Sequence, residues 1–518
     1  MDERFATAAR LLPDYLSQHV LLSAAALGLG LAISLPLVVA ASRSARVRWP
    51  VLGFASVVQT VPSLALLALF YPLLLALSAT SKYLFGHGFS ALGFLPSLLA
   101  LTLYSMLPIL RNGITGVLGV DPAIIEAARG VGMTEGQRLF RVELPLAAPV
   151  LMAGIRTAAV WVIGAATLST PVGQTSLGNY IFSGLQVENW VSVLFGCGAA
   201  VVLAILTDQL LGLIERGVAQ RTGRSVWIGV GLLLAGVAAA AAVQMATGGK
   251  ASYVIGAKNF SEQYILADLM TDRIRSQGHA ATIRADLGSV IAFRALAASD
   301  IDAYVDYSGT VWANILKRTG SPPRAQMLED LRSALHRDFG VELLGALGFE
   351  NAYALAMRRD RALQLGIRTI ADLARRAPEL AMGGDFEFFA RPEWRALRER
   401  YGLSFRVQRQ FQPTFMYRAL ASGEVDVISA FSSDGRIAAD ELVVLQDPLQ
   451  VIPPYDAILL VSPARAADPA LRRALEPLLG AIPIELMRQA NFRVDRDTDK
   501  MPPDKAALWL AQTAHLHD

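Results

Sequence analysis

Six long apolar runs, nearly free of charge, constrain this chain more than any other feature. A helix that crosses a bilayer needs about 20 consecutive apolar residues. Leu21–Ala41, Val51–Thr80 and Phe89–Leu110 contain no charged side chain, Leu144–Thr170 contains only Arg156, Trp190–Ile214 only Asp208, and Val226–Thr247 is the last such run. The expected architecture of the first half is therefore a membrane α-helical bundle of about six spans. Composition agrees: the 518 residues are 53% hydrophobic with a mean hydropathy of +0.41, too apolar for a soluble chain of this length.

Arginine placement orients the bundle. Arg43, Arg46 and Arg48 follow the first run, Arg111, Arg129, Arg138 and Arg141 follow the third, and Arg216, Arg221 and Arg224 follow the fifth. The alternate loops hold Lys82 in one case and no base between Thr170 and Trp190 in the other. Basic loops stay cytoplasmic, so the N-terminus and everything after the sixth run are expected outside. The N-terminal stretch is mixed in charge, and the apolar run that follows is too long for a signal-peptide core. Arg156 is either functional, as an intramembrane charge often is, or a paired or snorkelling arginine near the inner face, and pairing is the favoured reading. Pro62, Pro72, Pro96, Pro108 and Pro171 are expected to interrupt spans. Cys197 reads as a small buried hydrophobe. One cysteine and six scattered histidines offer neither a disulfide framework nor a metal site.

Between the third and fourth runs lies a charged stretch, EAARGVGMTEGQRLFRVELP, at 126–145. It reads as an amphipathic helix, a turn at Gly132 where a Cβ would be resisted, and a second short helix. Pro145 is expected to open the next span, where its missing N–H costs nothing. The spacing of Glu126, Ala127, Ala128, Gly132, Val142, Leu144 and Pro145 resembles the EAA signature of the permease subunits of ABC importers. In that family the stretch is a cytoplasmic coupling helix that docks on a separate ATPase. Ala127 and Ala128 would then allow close helix packing.

From about Ala251 the chain changes character. VIGA, ATIRADL, IDAYVDY, AYALAM, ELAMGG, FRVQRQ, EVDVISAF and AILLVS read as strands between amphipathic helices, the alternation of an α/β layered domain. No G-x-x-x-x-G-K-[ST] and no strand-linked GxGxxG occurs, so an ATPase would be another polypeptide. A net charge of +3 gives no argument for nucleic acid.

Five motifs in this half, GAKNFSEQYILADLM, DIDAYVDYSGT, NAYALAM, SAFSSDGRI and PPYDAILL, occur in the order found in the substrate-binding proteins of osmoprotectant importers. The chain thus resembles that uptake family, which handles glycine betaine, choline, carnitine and related quaternary amines, is often fused to its permease, and has a branch that imports ergothioneine. The resemblance implies a two-lobed periplasmic-binding-protein-like domain that closes on its solute by a hinge. It also implies an aromatic box, because a quaternary ammonium donates no hydrogen bond and is held by ring faces. Motif matching puts Tyr307, Tyr353 and Phe431 in that box. Phe431 stands where family members commonly carry Tyr, so a hydroxyl contact made there elsewhere is lost. Tyr455, Phe388 and Trp312 are candidates for a further wall, although core packing is the favoured reading for Phe388 and Trp312. Asn259, Gln263 and Thr310 are the expected donors to a solute carboxylate, with Asn259 equally readable as a helix cap. Lys258 reads as a solvated lysine and Asp434 as a cap.

The expected domains are 1–248, a permease with its coupling helix at 126–145, and 249–518, an extracytoplasmic binding domain. Its first lobe would comprise about 252–350 and 456–518, its second about 355–448, with crossings near Glu350–Ala354 and Pro448–Tyr455. As a member of that family the chain would form a permease homodimer in the inner membrane and bind two copies of an ABC ATPase. It would itself hold no cofactor or metal and catalyse no covalent step, the ATP being used by the ATPase. The expected solute is glycine betaine, choline or carnitine. The alternatives are ergothioneine or an amino acid in the same architecture and, from another class, a ligand-sensing membrane receptor.

Overall fold

The computed structural model describes residues 3–187, 189–247, 253–318, 320, 322–496 and 498–516. The chain divides into two compact units, 1–181 with 191–249, and 182–190 with 250–518. The junction expected at 248–249 lies outside the described residues, as does Ala251.

The first unit is helical: α1 (Glu3–Arg43), α2 (Ala45–Thr60), α3 (Ser63–Phe85), α4 (Phe94–Leu118), α5 (Pro122–Gly130), α6 (Glu135–Arg138) and α7 (Leu144–Ala166). Then follow α8 (Gly178–Gln186), α9 (Trp190–Ala219) and α10 (Gly223–Thr247). Among the described residues, six helical stretches are long and apolar enough to cross a membrane. The most buried is α4, packed between α1 and α7. Small residues make that packing possible: a Cβ on Gly113 would lie 2.6 Å from a Val38 methyl, and one on Gly154 would lie 2.6 Å from the Pro108 carbonyl.

The expected second span, Val51–Thr80, is not one helix. Val61 before Pro62 is driven to an extended conformation (φ −72°, ψ 128°), which ends α2, and α3 restarts at Ser63. Pro96 sits in the first turn of α4 and Pro171 in a 3₁₀ turn, whereas Pro72 and Pro108 lie inside continuing helices. Pro145 stands in the first turn of α7, as expected. A π-helical turn, Leu139–Glu143, joins α6 to α7, with the Leu144 N–H bonded to the Leu139 carbonyl. This wider turn accommodates a residue that has no N–H to give and whose ring clashes with the preceding turn. Cys197 is exposed on α9 rather than buried, because α9 packs through other faces. Arg156 is paired as expected: its guanidinium grips Asp208 at 2.9 and 2.8 Å and Glu215 at 2.7 Å.

The second unit holds two five-stranded sheets. The first contains β1 (Tyr253–Lys258), β2 (Ala281–Leu287), β3 (Ala303–Tyr307), β4 (Glu342–Glu350) and β10 (Asp456–Val461), in the order β2-β1-β3-β10-β4. The second contains β5 (Tyr353–Arg358), β6 (Ala381–Asp385), β7 (Val407–Phe411), β8 (Val427–Phe431) and β9 (Leu442–Val444), in the order β7-β6-β8-β5-β9. Each sheet has three parallel strands, extended on one side by antiparallel ones. The chain passes from one sheet to the other between β4 and β5 and returns between β9 and β10. The strand runs read from sequence are all strands, but β4 and β9 were not among them. Helix α11 (Ser261–Ser276) covers the first sheet together with the Ile484–Asp495 and Pro503–Thr513 helices.

Candidate functional site

Strand ends carry the rings. Tyr307 ends β3, Tyr353 opens β5, Phe431 ends β8, and Tyr455 immediately precedes β10. Strands β5 and β8 are antiparallel with Tyr353 opposite Phe431, and a cross-strand pair brings side chains together on one face. Their ring centroids are 4.7 Å apart. Tyr455 lies edge-on to Tyr353 at 5.7 Å and Phe388 at 5.3 Å. The Tyr455 ring rests on the backbone of Gly309, where any Cβ would come within 2.6 Å of it. Ser308 fixes the same corner, its hydroxyl donating to the Pro454 carbonyl (3.0 Å) and accepting from the Asp456 N–H (2.9 Å).

Phe260 joins the two walls. It occupies the N-cap position of α11, and its ring stacks 6.1 Å from Tyr307 and 6.4 Å from Phe431, parallel to the latter within 4°. Sequence reasoning passed over it; the signal was its place in KNFSEQ, between Asn259 and Gln263. Asn259 is exposed and is not the cap, because the chain is still turning at 259 and the helix is entered through Phe260. Gln263 is buried and serves the cluster indirectly, its amide donating to the Tyr307 hydroxyl at 3.0 Å and its carbonyl accepting from the Lys258 N–H at 3.3 Å. Thr310 is buried one residue beyond Gly309. Phe388 is fully enclosed and touches Tyr353, whereas Trp312 takes Arg318 over its face at 4.8 Å.

Charge of both signs borders the rings. Lys258 is buried, not solvated: β1 carries it inward, where it pairs with Asp306 and stands 5.0 Å from the Tyr307 ring centroid. The Arg391 guanidinium lies 4.8 Å over Tyr353 and 5.6 Å from Tyr455. It donates to Glu387 at 2.7 Å, to both oxygens of Glu393 at 3.2 and 3.1 Å, and to the Tyr455 hydroxyl at 2.7 Å. Nothing in the sequence near FEFFARPE singles Arg391 out; the rings it meets, Tyr353 and Tyr455, are far away in sequence. Glu262, also missed, accepts from the Tyr307 hydroxyl at 2.5 Å and from Asn351 at 3.1 Å. Burial pushes its carboxyl above the usual carboxylate range, against the pull of these hydrogen bonds. Burial likewise raises the Tyr307, Tyr353 and Tyr455 phenols well above their ordinary value, so all three present neutral rings. Asp434 accepts from the Arg436 N–H at 2.9 Å and pairs with its guanidinium, but it stands one residue before the N-cap, which is Gly435.

A π-rich, desolvated cluster with an arginine and a lysine at its edge suits a small molecule with a quaternary cation at one end and an anion at the other.

The stretch at 126–145 is as ordered. Asp121 caps α5 through the Ala123 N–H (2.8 Å), Gly132 turns with φ +78°, and Thr134 and Gln137 form a reciprocal capping box. Glu126 and Ala127 are exposed, Ala128 is buried, Leu144 is half-buried and Pro145 is exposed. Beneath them Glu143 is enclosed between Arg138 (2.7 Å) and Arg43 (2.6 Å).

Comparison with known proteins gives two family matches. Residues 251–512 match the substrate-binding domain of the ABC-type glycine betaine transport system, and residues 32–220 match the inner membrane component of binding-protein-dependent transport systems. The chain is 28% identical over 466 residues to the ergothioneine transport permease/ergothioneine binding protein EgtU of Helicobacter pylori, spanning 86% of this chain and 80% of that one. It is 40% identical over 204 residues to the glycine betaine/carnitine/choline transport system permease protein OpuCB of Bacillus subtilis, spanning 39% of this chain and 87% of that one. A solved glycine betaine/carnitine/choline ABC transporter structure aligns at 27% identity with a TM-score of 0.46, covering 52% of this chain and all of that one. The chain therefore belongs to the glycine betaine-type ABC import family, as a multi-pass inner-membrane permease fused to a substrate-binding domain.

Proposed function

We propose that the binding domain lies outside the membrane and captures a quaternary-ammonium zwitterion of the glycine betaine and carnitine class, or the related cation choline. The permease then passes the solute inward. The observation that carries this reading is the convergence of Tyr307, Tyr353, Phe431, Tyr455 and Phe260 from both sheets onto one cluster with Arg391 at its border. Ring faces would hold the methylated cation, and Arg391, with Lys258 and Thr310, would face the solute's carboxylate. The N–H groups of Arg391 give directed donors for an anionic tail, which favours a betaine over choline. Ergothioneine is a second reading: it is a betaine too, and the relative that parallels most of this chain carries that solute in its name.

In the same reading two permease chains pair and engage two ABC ATPases through Glu126–Pro145. Closure of the ATPases on ATP would move α5 and α6 and turn the permease from inward- to outward-facing. This chain supplies no catalytic step. Calorimetric titration of the full chain in lipid nanodiscs tests the reading, with glycine betaine, choline, carnitine, ergothioneine and the demethylated analogue of each. Binding of one methylated solute and not of its analogue is expected. Binding of amino acids alone would return the rings to ordinary core packing.

A further inference from the structure

We infer that Asn491, which belongs to neither ring wall, is a positioning residue that latches the two lobes together and thereby sets how long a solute stays bound. The inference rests on the solute-binding reading above.

Asn491 lies in the Ile484–Asp495 helix, on the first-lobe side, with 2% of its surface exposed. Its side-chain nitrogen donates one hydrogen to Glu262 at 2.9 Å and the other to the Ser433 carbonyl at 2.7 Å. The Ser433 carbonyl can only accept, so the orientation of the amide follows from chemistry. The two acceptors lie in different lobes. Glu262 holds the hydroxyl of Tyr307, the first-lobe ring, and the amide of Asn351 in the crossing segment. Ser433 stands two residues after Phe431, the second-lobe ring. A single nitrogen thus ties the Tyr307 wall to the Phe431 wall.

The loop after Phe431 is shaped for this contact. Gly435 lies so close to the Asn491–Phe492 backbone that a Cβ there would fall 2.2 Å from the Phe492 nitrogen. Arg488, one turn earlier on the same helix, donates to the Ser432 carbonyl at 2.9 Å. The Ser432 hydroxyl accepts from the Ala352 N–H at 2.9 Å in the crossing segment. Opening the lobes must break the Asn491 and Arg488 bonds together, and an acceptor left without a partner in a buried place is costly. The latch and the assembled ring cluster therefore exist in the same state. Whatever favours that state retains the solute, and its loss appears mainly in the dissociation rate.

The test uses the full chain in nanodiscs, with stopped-flow fluorescence and the four solutes named above. Asn491→Leu removes both donors; Asn491→Asp also removes them while keeping the size, which guards against a simple packing defect. Both are expected to dissociate at least tenfold faster with association within twofold of the parent. A second readout needs no solute: spin labels at Arg332→Cys, exposed on the first-lobe helix Arg324–Phe339, and Arg398→Cys, exposed on the second-lobe helix Pro392–Tyr401, with Cys197→Ser, should report a wider lobe separation in either Asn491 variant. If the parent binds no methylated solute, the function reading fails, while the label distance still decides the latch. Unchanged dissociation with an unchanged distance overturns it, and so does a loss confined to the unfolding temperature.

Discussion

In the membrane unit Glu143 is closed between Arg138 and Arg43, and Arg156 between Asp208 and Glu215. In the binding unit Arg391 and Lys258 are equally well paired, yet each also faces an aromatic ring. The first group joins segments far apart in sequence, the end of α1 to the stretch after α6 and α7 to α9. The second group stands at a border, where one face of each cation is turned to π-electrons that a solute would share. The difference teaches that a buried charge is read by its whole surroundings. A charge enclosed by counter-charges fastens; one flanked by rings remains open to a ligand.

Breaking each kind of site should separate them. The largest effect is expected from Glu143→Leu, which leaves Arg138 and Arg43 facing one another. Loss of one partner from a buried pair costs about 3–5 kcal/mol, read as a fall in the unfolding temperature of the permease in detergent with solute affinity unchanged. A variant as stable as the parent would remove Glu143 from the fastening class. Tyr353→Leu keeps apolar volume but removes a ring face, and affinity for the methylated solute should fall by about 1–2 kcal/mol, roughly 5- to 30-fold. Unaltered affinity would take Tyr353 out of the cluster's function. Gly132→Val meets open space but forces a β-branched residue to φ +78°, a strain of about 1–2 kcal/mol. Uptake in cells should be lost while binding persists, and persisting uptake would break the coupling role of the turn.

The smallest effect is expected at Asp268, away from both sites. Burial, with Asp504 and Asp272 near, pushes its carboxyl up to about 8. A carboxyl raised in the folded state favours folding below its unfolded pKa of about 4 and withdraws that support as pH climbs through the folded value. Asp268→Asn should therefore raise the unfolding temperature of the binding domain at pH 8 and leave it unchanged at pH 4. Equal shifts at both would show that the carboxyl is not held protonated.

The six spans and most of the strands were legible because their signals are local: long runs without charge, and short apolar runs between turns and amphipathic helices. β4 was not legible, since Glu342–Glu350 is held in the sheet by β10, a strand more than a hundred residues further along the chain. Its Gly348 takes φ +116° against the backbone of Gly480 and Ile482, a demand no short window reveals. The break at Pro62 could be read, but its consequence for Val61 was underweighted against a long apolar run. Tyr307, Tyr353, Phe431 and Tyr455 were found through motifs and lie together. Arg391 and Glu262 were not found, because partners that are distant in sequence define them. Lys258 looked solvated for the same reason: its counter-ion, Asp306, sits on a neighbouring strand.

The π-helical turn at Leu139–Glu143 has a consequence for timing along the chain. In a regular α-helix, residues five apart point about 140° away from each other. Arg138 and Glu143 are five apart and in contact, because the i→i+5 turn brings them back to one side. The turn is thus a phase setting between the α5–α6 stretch and α7. Deleting one residue there would rotate everything upstream by about 100° about the helix axis. The buried pair would uncouple, and the exposed faces of α5 and α6 would point elsewhere, without any change in the composition of either helix.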